Sequence, residues 1–158
     1  MKIIALRGGS DSGKTSILKK LMAELLKDNE LIYSHFKIET ICQMTDPKNE
    51  KWFTKNNKKN ISNLTITLRY KEKIVTITSI GDSTELIVNS FEGAKRGVKK
   101  KNNRDEIDIY VCACHPKMNL SKTFGCNVFY VDKNRYEKDK MNDNALVNSL
   151  VSELNKLI

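Results

Sequence analysis

No apolar run in the 158-residue chain approaches the roughly 18 consecutive residues that a membrane-crossing helix needs. No membrane span or membrane partner is therefore expected. The amino terminus is equally poor in signal. Only four apolar residues, Ile3 to Leu6, follow Lys2 before Arg7 and a glycine pair, too few for the hydrophobic region of a secretory leader. The expected location is cytoplasmic. The four cysteines, Cys42, Cys112, Cys114 and Cys126, lack the spacing of a secreted disulfide framework, and cytosolic thiols stay reduced. There is no internal repeat, and the only low-complexity tract is KWFTKNNKKN at 51–60. Acid is scarce relative to base. Lys and Arg number 28 against 19 Asp and Glu, a net charge of +9, which favours encounters with nucleotides, nucleic acid or acidic partners without choosing among them.

What is present reads as one domain spanning 1–158, long enough to bury about 70% of its unfolded surface. Lys2–Leu6 is a short buried strand. Ile17, Leu18, Leu21, Met22, Leu25 and Leu26 recur at helical spacing from Lys14, and that helix stops near Asp28-Asn29. Leu31–Ile38 reads as a second strand. The polar, lysine-rich residues 40–60 have no period and form an insertion or loop. ISNLTITLRY and KIVTITSI then make an antiparallel hairpin at about 61–80, turning near Lys71-Glu72 without the usual Asn-Gly or Asp-Gly. Ile87, Phe91, Ala94 and Val98 mark a helix from Ser83, with Asp82 or Ser83 as its N-cap. Ile107–Cys114 and Val128–Val131 are further strands, and Leu146, Val147, Leu150, Val151, Leu154 and Leu157 lie on one face of a last helix. The alternation predicts an α/β protein in three layers, with a mainly parallel sheet covered by helices on both faces.

The segment GGSDSGKT at 8–15 carries the chemistry. Gly8, Gly13, Lys14 and Thr15 occupy every fixed position of G-x-x-x-x-G-K-[ST]. Glycines let backbone N–H groups turn inward around phosphate oxygens, and the following helix offers its positive end. Lys14 brings a point charge to the β- and γ-phosphates, and Thr15 brings a hydroxyl ligand for Mg²⁺. A strand before the loop and a long helix after it complete the context. At these residues the chain resembles the P-loop NTPase superfamily, with GGSDSGKT as its Walker A motif. The resemblance implies binding of a Mg²⁺-nucleoside triphosphate by Gly8, Gly9, Ser10, Asp11, Ser12, Gly13, Lys14, Thr15 and Ser16. It names no reaction, because the superfamily spans kinases, hydrolases, switches and motors.

Such proteins place an acid at the end of a neighbouring hydrophobic strand, where it holds Mg²⁺ or its water. Here the fitting place is IVTITSIGD, ending at Asp82, with Ser79 and Gly81 interrupting the apolar run. Asp82 either supports the metal with Thr15 or caps the next helix. Glu85 is a water-orienting base or a favourable first-turn charge. His35, Lys117, Lys122 and Arg135 fall in loops beyond the carboxyl ends of strands, where α/β sheets bind ligands. CACH at 112–115 reads as core packing rather than a metal site, since Cys112 and Cys114 share a strand face that His115 does not. The run KRGVKKKNNR at 95–104 is expected to be a solvated helix-to-strand connection remote from the phosphate loop.

The Asn/Thr-Lys-x-Asp guanine signature is missing; VDKNRY has Asp132 and Lys133 in the wrong order. ATP is therefore favoured. Three readings stay open: an ATP hydrolase or regulator with Lys14 and Asp82 as catalytic groups; a small-molecule or nucleotide kinase with its acceptor near 35–60; and a nucleotide-gated module whose Lys tract and Trp52-Phe53 contact nucleic acid.

Overall fold

The computed structural model describes residues 1–9, 12–35, 63–103, 106–133 and 140–158. Ser10, Asp11, Arg135 and the 40–60 tract with Trp52-Phe53 lie outside them. The described chain runs β1 (Lys2–Arg7), α1 (Lys14–Leu26), β2 (Glu30–Ser34), β3 (Thr65–Tyr70), β4 (Lys73–Thr78), α2 (Thr84–Asn102), β5 (Ile109–Cys114), α3 (Leu120–Phe124), β6 (Val128–Asp132) and α4 (Lys140–Leu157). The strands form one sheet in the order β2-β3-β4-β5-β1-β6. β1 pairs in parallel with β5 and β6, and β4 with β5. Only β3 is reversed, antiparallel to both β2 and β4. Five strands thus end at one edge, at Arg7, Ser34, Thr78, Cys114 and Asp132.

The period of two along β1 explains the layers. Ile4 and Leu6 point into a core with Ile17 and Leu21 of α1 and Leu150 and Leu154 of α4. Ile3 and Ala5 point into the opposite core with Ile87 and Phe91 of α2 and Leu120 of α3. Successive side chains of a strand face opposite sides, so a strand apolar at every position needs helices on both. Burying one such Ile or Leu contributes about 1.5–3 kcal/mol. The α/β expectation, its hairpin included, matches this architecture.

The hairpin turn shows what its sequence lacks. Lys71 has φ 45° and Glu72 φ 68°, so two ordinary residues adopt the left-handed conformation, and Tyr70 pairs directly with Lys73. Left-handed backbone costs an L-residue roughly 1–2 kcal/mol. The ladder beyond the turn, including Thr67–Thr76 and Thr65–Thr78 hydroxyl contacts of 2.7 and 2.8 Å, overrides that strain.

One expectation is corrected. The basic run is no solvated connection through Asn102, because α2 extends over it. Lysine is a good helix former, and Lys99, Lys100 and Lys101 in the last turn complement the helix dipole. Asn103, left-handed at φ 54°, closes the helix by donating its N–H to Lys99 O at 3.1 Å. Nineteen residues make α2 about 28 Å long, longer than the five- and six-residue strands it covers. It packs on β2, β3, β4 and β5 and carries its basic turns to the flank of β2.

Candidate functional site

β1 lies between β5 and β6, and the chain leaves its end into the glycine loop. Gly8 continues both ladders: its N–H donates to Cys114 O at 3.1 Å, while the Lys133 N–H donates to Arg7 O at 2.8 Å. A Cβ on Gly8 would stand 2.9 Å from Ser12 Oγ and 3.0 Å from Lys133 O, so the loop closes only around a glycine. Gly13 has φ 85° and forms the N-cap of α1. Here the glycine requirement is conformational. The consequence is chemical, because Gly13 has no side chain with which to cap α1. By contrast, Ser83 caps α2 and Asn119 caps α3 through their side chains.

Lys14 is buried, and its Nζ donates to Gly8 O and Gly9 O at 2.6 Å each, with Ser12 Oγ at 3.4 Å. The ammonium therefore sits inside the loop, held by the loop's own carbonyls. Thr15 Oγ1 lies 3.4 Å from Ser79 O as donor, joining the start of α1 to the segment after β4. Ser12, Gly13, Lys14, Thr15 and Ser16 line a cavity of about 550 Å³, and Ser79, Gly81, Asp82, Ala113 and His115 form its other wall.

Asp82 reaches this cavity although β4 is not a hydrogen-bonded neighbour of β1; β5 stands between them. Residues 79–82 must therefore cross the end of β5. A Cβ on Gly81 would lie 2.5 Å from Ala113 Cβ and 3.0 Å from the Ala113 carbonyl carbon and oxygen. Gly81, which interrupts the apolar run, is what lets the chain lie on β5. The helix cap belongs to Ser83, whose Oγ accepts from Leu86 N at 3.2 Å. Asp82 is left exposed at the cavity wall, free of capping duty. Glu85 is an exposed first-turn charge of α2 and does not line the cavity.

Of the other edge candidates, His35 lines a different cavity, while Lys117 and Lys122 are exposed and line neither. Two residues were not singled out by the sequence. His115, first past β5, lines the glycine-loop cavity. Lys133, first past β6, has a side chain only 2% exposed and an ion pair to Asp143 at 3.0 Å. Asp143 also takes Lys20 of α1 at 3.3 Å. A Cβ on Gly13 would meet Lys133 Cε and Nζ at 3.5 Å, so this lysine underlies the loop, tied to α1 and α4 through one carboxylate.

At the rim, Arg7 donates to Asp132 through Nε at 2.6 Å and Nη2 at 3.1 Å, and its guanidinium lies 4.3 Å from the Tyr130 ring centre. The hydrogen bond from Arg7 holds the Asp132 carboxyl below its ordinary range. Burial pushes the Cys112 thiol far up. Cys114 is pushed up to about 11, burial outweighing the nearby Arg7 and Lys14 charges. Both stay protonated at neutral pH, as core residues do. Among the described residues no group of three or more His, Cys, Asp or Glu is placed to hold a metal. No family model matches the chain, and no curated protein or solved structure matches it either.

Proposed function

We propose that the chain is a P-loop NTPase that binds ATP with Mg²⁺ and hydrolyses it. The observation that carries this reading is the shared cavity. The glycine loop, Lys14 and Thr15 form one wall and Asp82, relieved of capping by Ser83, stands in the other. A triphosphate in that cavity meets the uncapped start of α1, whose N–H groups and dipole favour negative charge. Lys14 exchanges the carbonyls of Gly8 and Gly9 for phosphate oxygens without leaving the loop. Ser10 and Asp11 belong to the same nucleotide-binding stretch by sequence. The Thr15 hydroxyl and Asp82 carboxylate are hard oxygen donors that fit Mg²⁺, which supplies neutralisation of phosphate charge when bound. A kinase with an acceptor near 35–60 is the second reading, favoured by a further cavity that reaches Ser34 and His35.

The test is calorimetric titration of Mg-ATP into wild type and Lys14→Ala. Loss of a charge-assisted contact of roughly 1.5–3 kcal/mol lowers affinity by about 10- to 100-fold, with an unchanged circular-dichroism spectrum. Equal affinity in a folded variant refutes the phosphate-loop reading. ATP turnover measured with and without a panel of nucleosides, nucleotides and DNA separates hydrolysis from transfer and from nucleic-acid gating.

A further inference from the structure

A second cavity, of about 740 Å³, lies between α2 and the β2–β3 flank of the sheet. Leu86, Asn89, Ser90, Gly93, Gly97 and Lys100 recur every three or four residues along α2 and line it, a single helix stripe about 21 Å long. Its chemistry is graded along that length. Ile80 and the exposed Leu86 make one end apolar. The other end holds Arg96, Lys100 and Lys101, and no Asp or Glu lines the cavity among the described residues. None of the three cations makes an ion pair with a described residue. A Cβ on Gly93 would stand 3.9 Å from Arg96 Nη2, so the guanidinium lies back along the groove. Between the ends stand the polar groups of Asn63, Asn89 and Ser90.

We infer that this groove is a binding site for a small phosphate-bearing molecule, a nucleoside monophosphate being the class that its lining fits. The phosphate meets Arg96, Lys100 and Lys101, which together supply charge-assisted donors. The ring system lies toward Ile80 and Leu86, with the amides of Asn63 and Asn89 beside it. The volume is that of a small-molecule pocket. A nucleic-acid strand fits less well, because strands need successive aromatic platforms along a continuous basic groove. Here, among the described residues, the only lining Tyr, Phe or Trp is Tyr33, the cations come from the last turns of α2 alone, and the Tyr33 ring is pressed against Gly97, where a Cβ would overlap its ring carbons. The inference deepens the kinase reading by naming a class of acceptor, yet its residues do not overlap those of the first cavity, so its test can fail without the phosphate-loop reading failing.

The experiment titrates AMP, GMP, CMP and UMP into the full chain carrying Lys14→Ala, which removes the phosphate-loop lysine from the measurement. One monophosphate or more binds with one-to-one stoichiometry. Adding R96A, K100A and K101A lowers that affinity by 10-fold or more with the circular-dichroism spectrum unchanged. Should the triple substitution disturb folding, Lys100→Glu with Lys101→Glu, both at exposed positions, gives the same loss. The inference is overturned if no monophosphate binds, or if binding is indifferent to these charge changes. It is also overturned if inorganic phosphate binds as tightly as the monophosphates, or if a single-stranded oligonucleotide binds more tightly through the same three residues.

Discussion

Asp82 and Ser83 are adjacent, and under the proposed function they have separate tasks that substitution can pull apart. Ser83 Oγ satisfies the Leu86 N–H at 3.2 Å, while Asp82 stands at the wall of the cavity that also holds Lys14 and Thr15. Replacing Ser83 with alanine removes one cap. That costs about 0.5–2 kcal/mol, or a fall in melting temperature of roughly 2–4 °C per kcal/mol in a protein of this size, and under the proposed function leaves ATP turnover near wild type. Asp82→Asn is close to isosteric and removes only the charge. It leaves stability within about 0.5 kcal/mol, the usual range for a surface change. If Asp82 orients the metal or its water as proposed, its loss lowers kcat by about 10- to 100-fold, equivalent to about 1.4–2.7 kcal/mol of barrier. The effect falls mainly on kcat, because charge develops during the reaction rather than on binding. Differential scanning fluorimetry and a phosphate-release assay across a Mg²⁺ series measure both quantities on both variants. If Asp82→Asn keeps wild-type turnover and Mg²⁺ dependence, the division of labour is refuted and Asp82 returns to the role of a cap, since Asn caps a helix as well as Asp does.

Other consequences follow from particular contacts. Changing Lys71-Glu72 to Asn-Gly relieves two left-handed residues and raises stability by about 1 kcal/mol in chemical denaturation; no gain would mean that the turn is not strained. Gly81→Ala drives a Cβ into Ala113 and destabilises by about 1–3 kcal/mol. Pairing it with Ala113→Gly removes the Cβ–Cβ overlap but not the carbonyl contacts, so a double-mutant cycle shows partial recovery; strictly additive losses would contradict the crossing. The folded pKa of Asp132 is depressed by Arg7, so its contribution is whole above the ordinary carboxylate pKa of about 4 and is lost as pH falls through the folded value. Wild type should therefore melt slightly above Asp132→Asn at neutral pH and converge with it in acid. A gap that widens in acid would reverse the sign.

The glycine loop was legible because every demand it makes is local. Strand, turn, lysine and helix start fall within about one turn of chain, and the left-handed Gly13 is where the spacing places it. The two cores were legible from alternation along β1 and helical periods in α1 and α4. Strand order was not, because nothing within IVTITSIGD says that β5 will lie between it and β1. Gly81 looked like a flaw in a hydrophobic run and proved to be a clearance over Ala113, a residue more than thirty positions away in sequence. The end of α2 was missed for a different reason. Lysines with no apolar partner resemble a loop, yet they form helix readily once Phe91, Ala94 and Val98 anchor the preceding turns. His115 and Lys133 carried a usable signal, each being the first residue past a parallel strand. Lys133 was read only against a base-recognition pattern.

The crossing at 79–82 has a consequence that neither cavity shows by itself. Ser79 is anchored by its Oγ, which accepts from Leu64 N at 2.9 Å, and by its N–H, which donates to Leu64 O at 2.9 Å. Gly81 is pinned on Ala113. Ser79, Gly81 and Asp82 line the glycine-loop cavity, and Ile80 lines the groove along α2. The same four residues are therefore a common wall between the two cavities. Coupling between distant sites ordinarily needs a chain of packed elements with two arrangements. Here Ile80 and Asp82 are separated by Gly81 alone. If both proposed ligands bind, one seated against Ile80 adjoins the backbone that carries Asp82, and by linkage any change in affinity between the two ligands is equal in both directions.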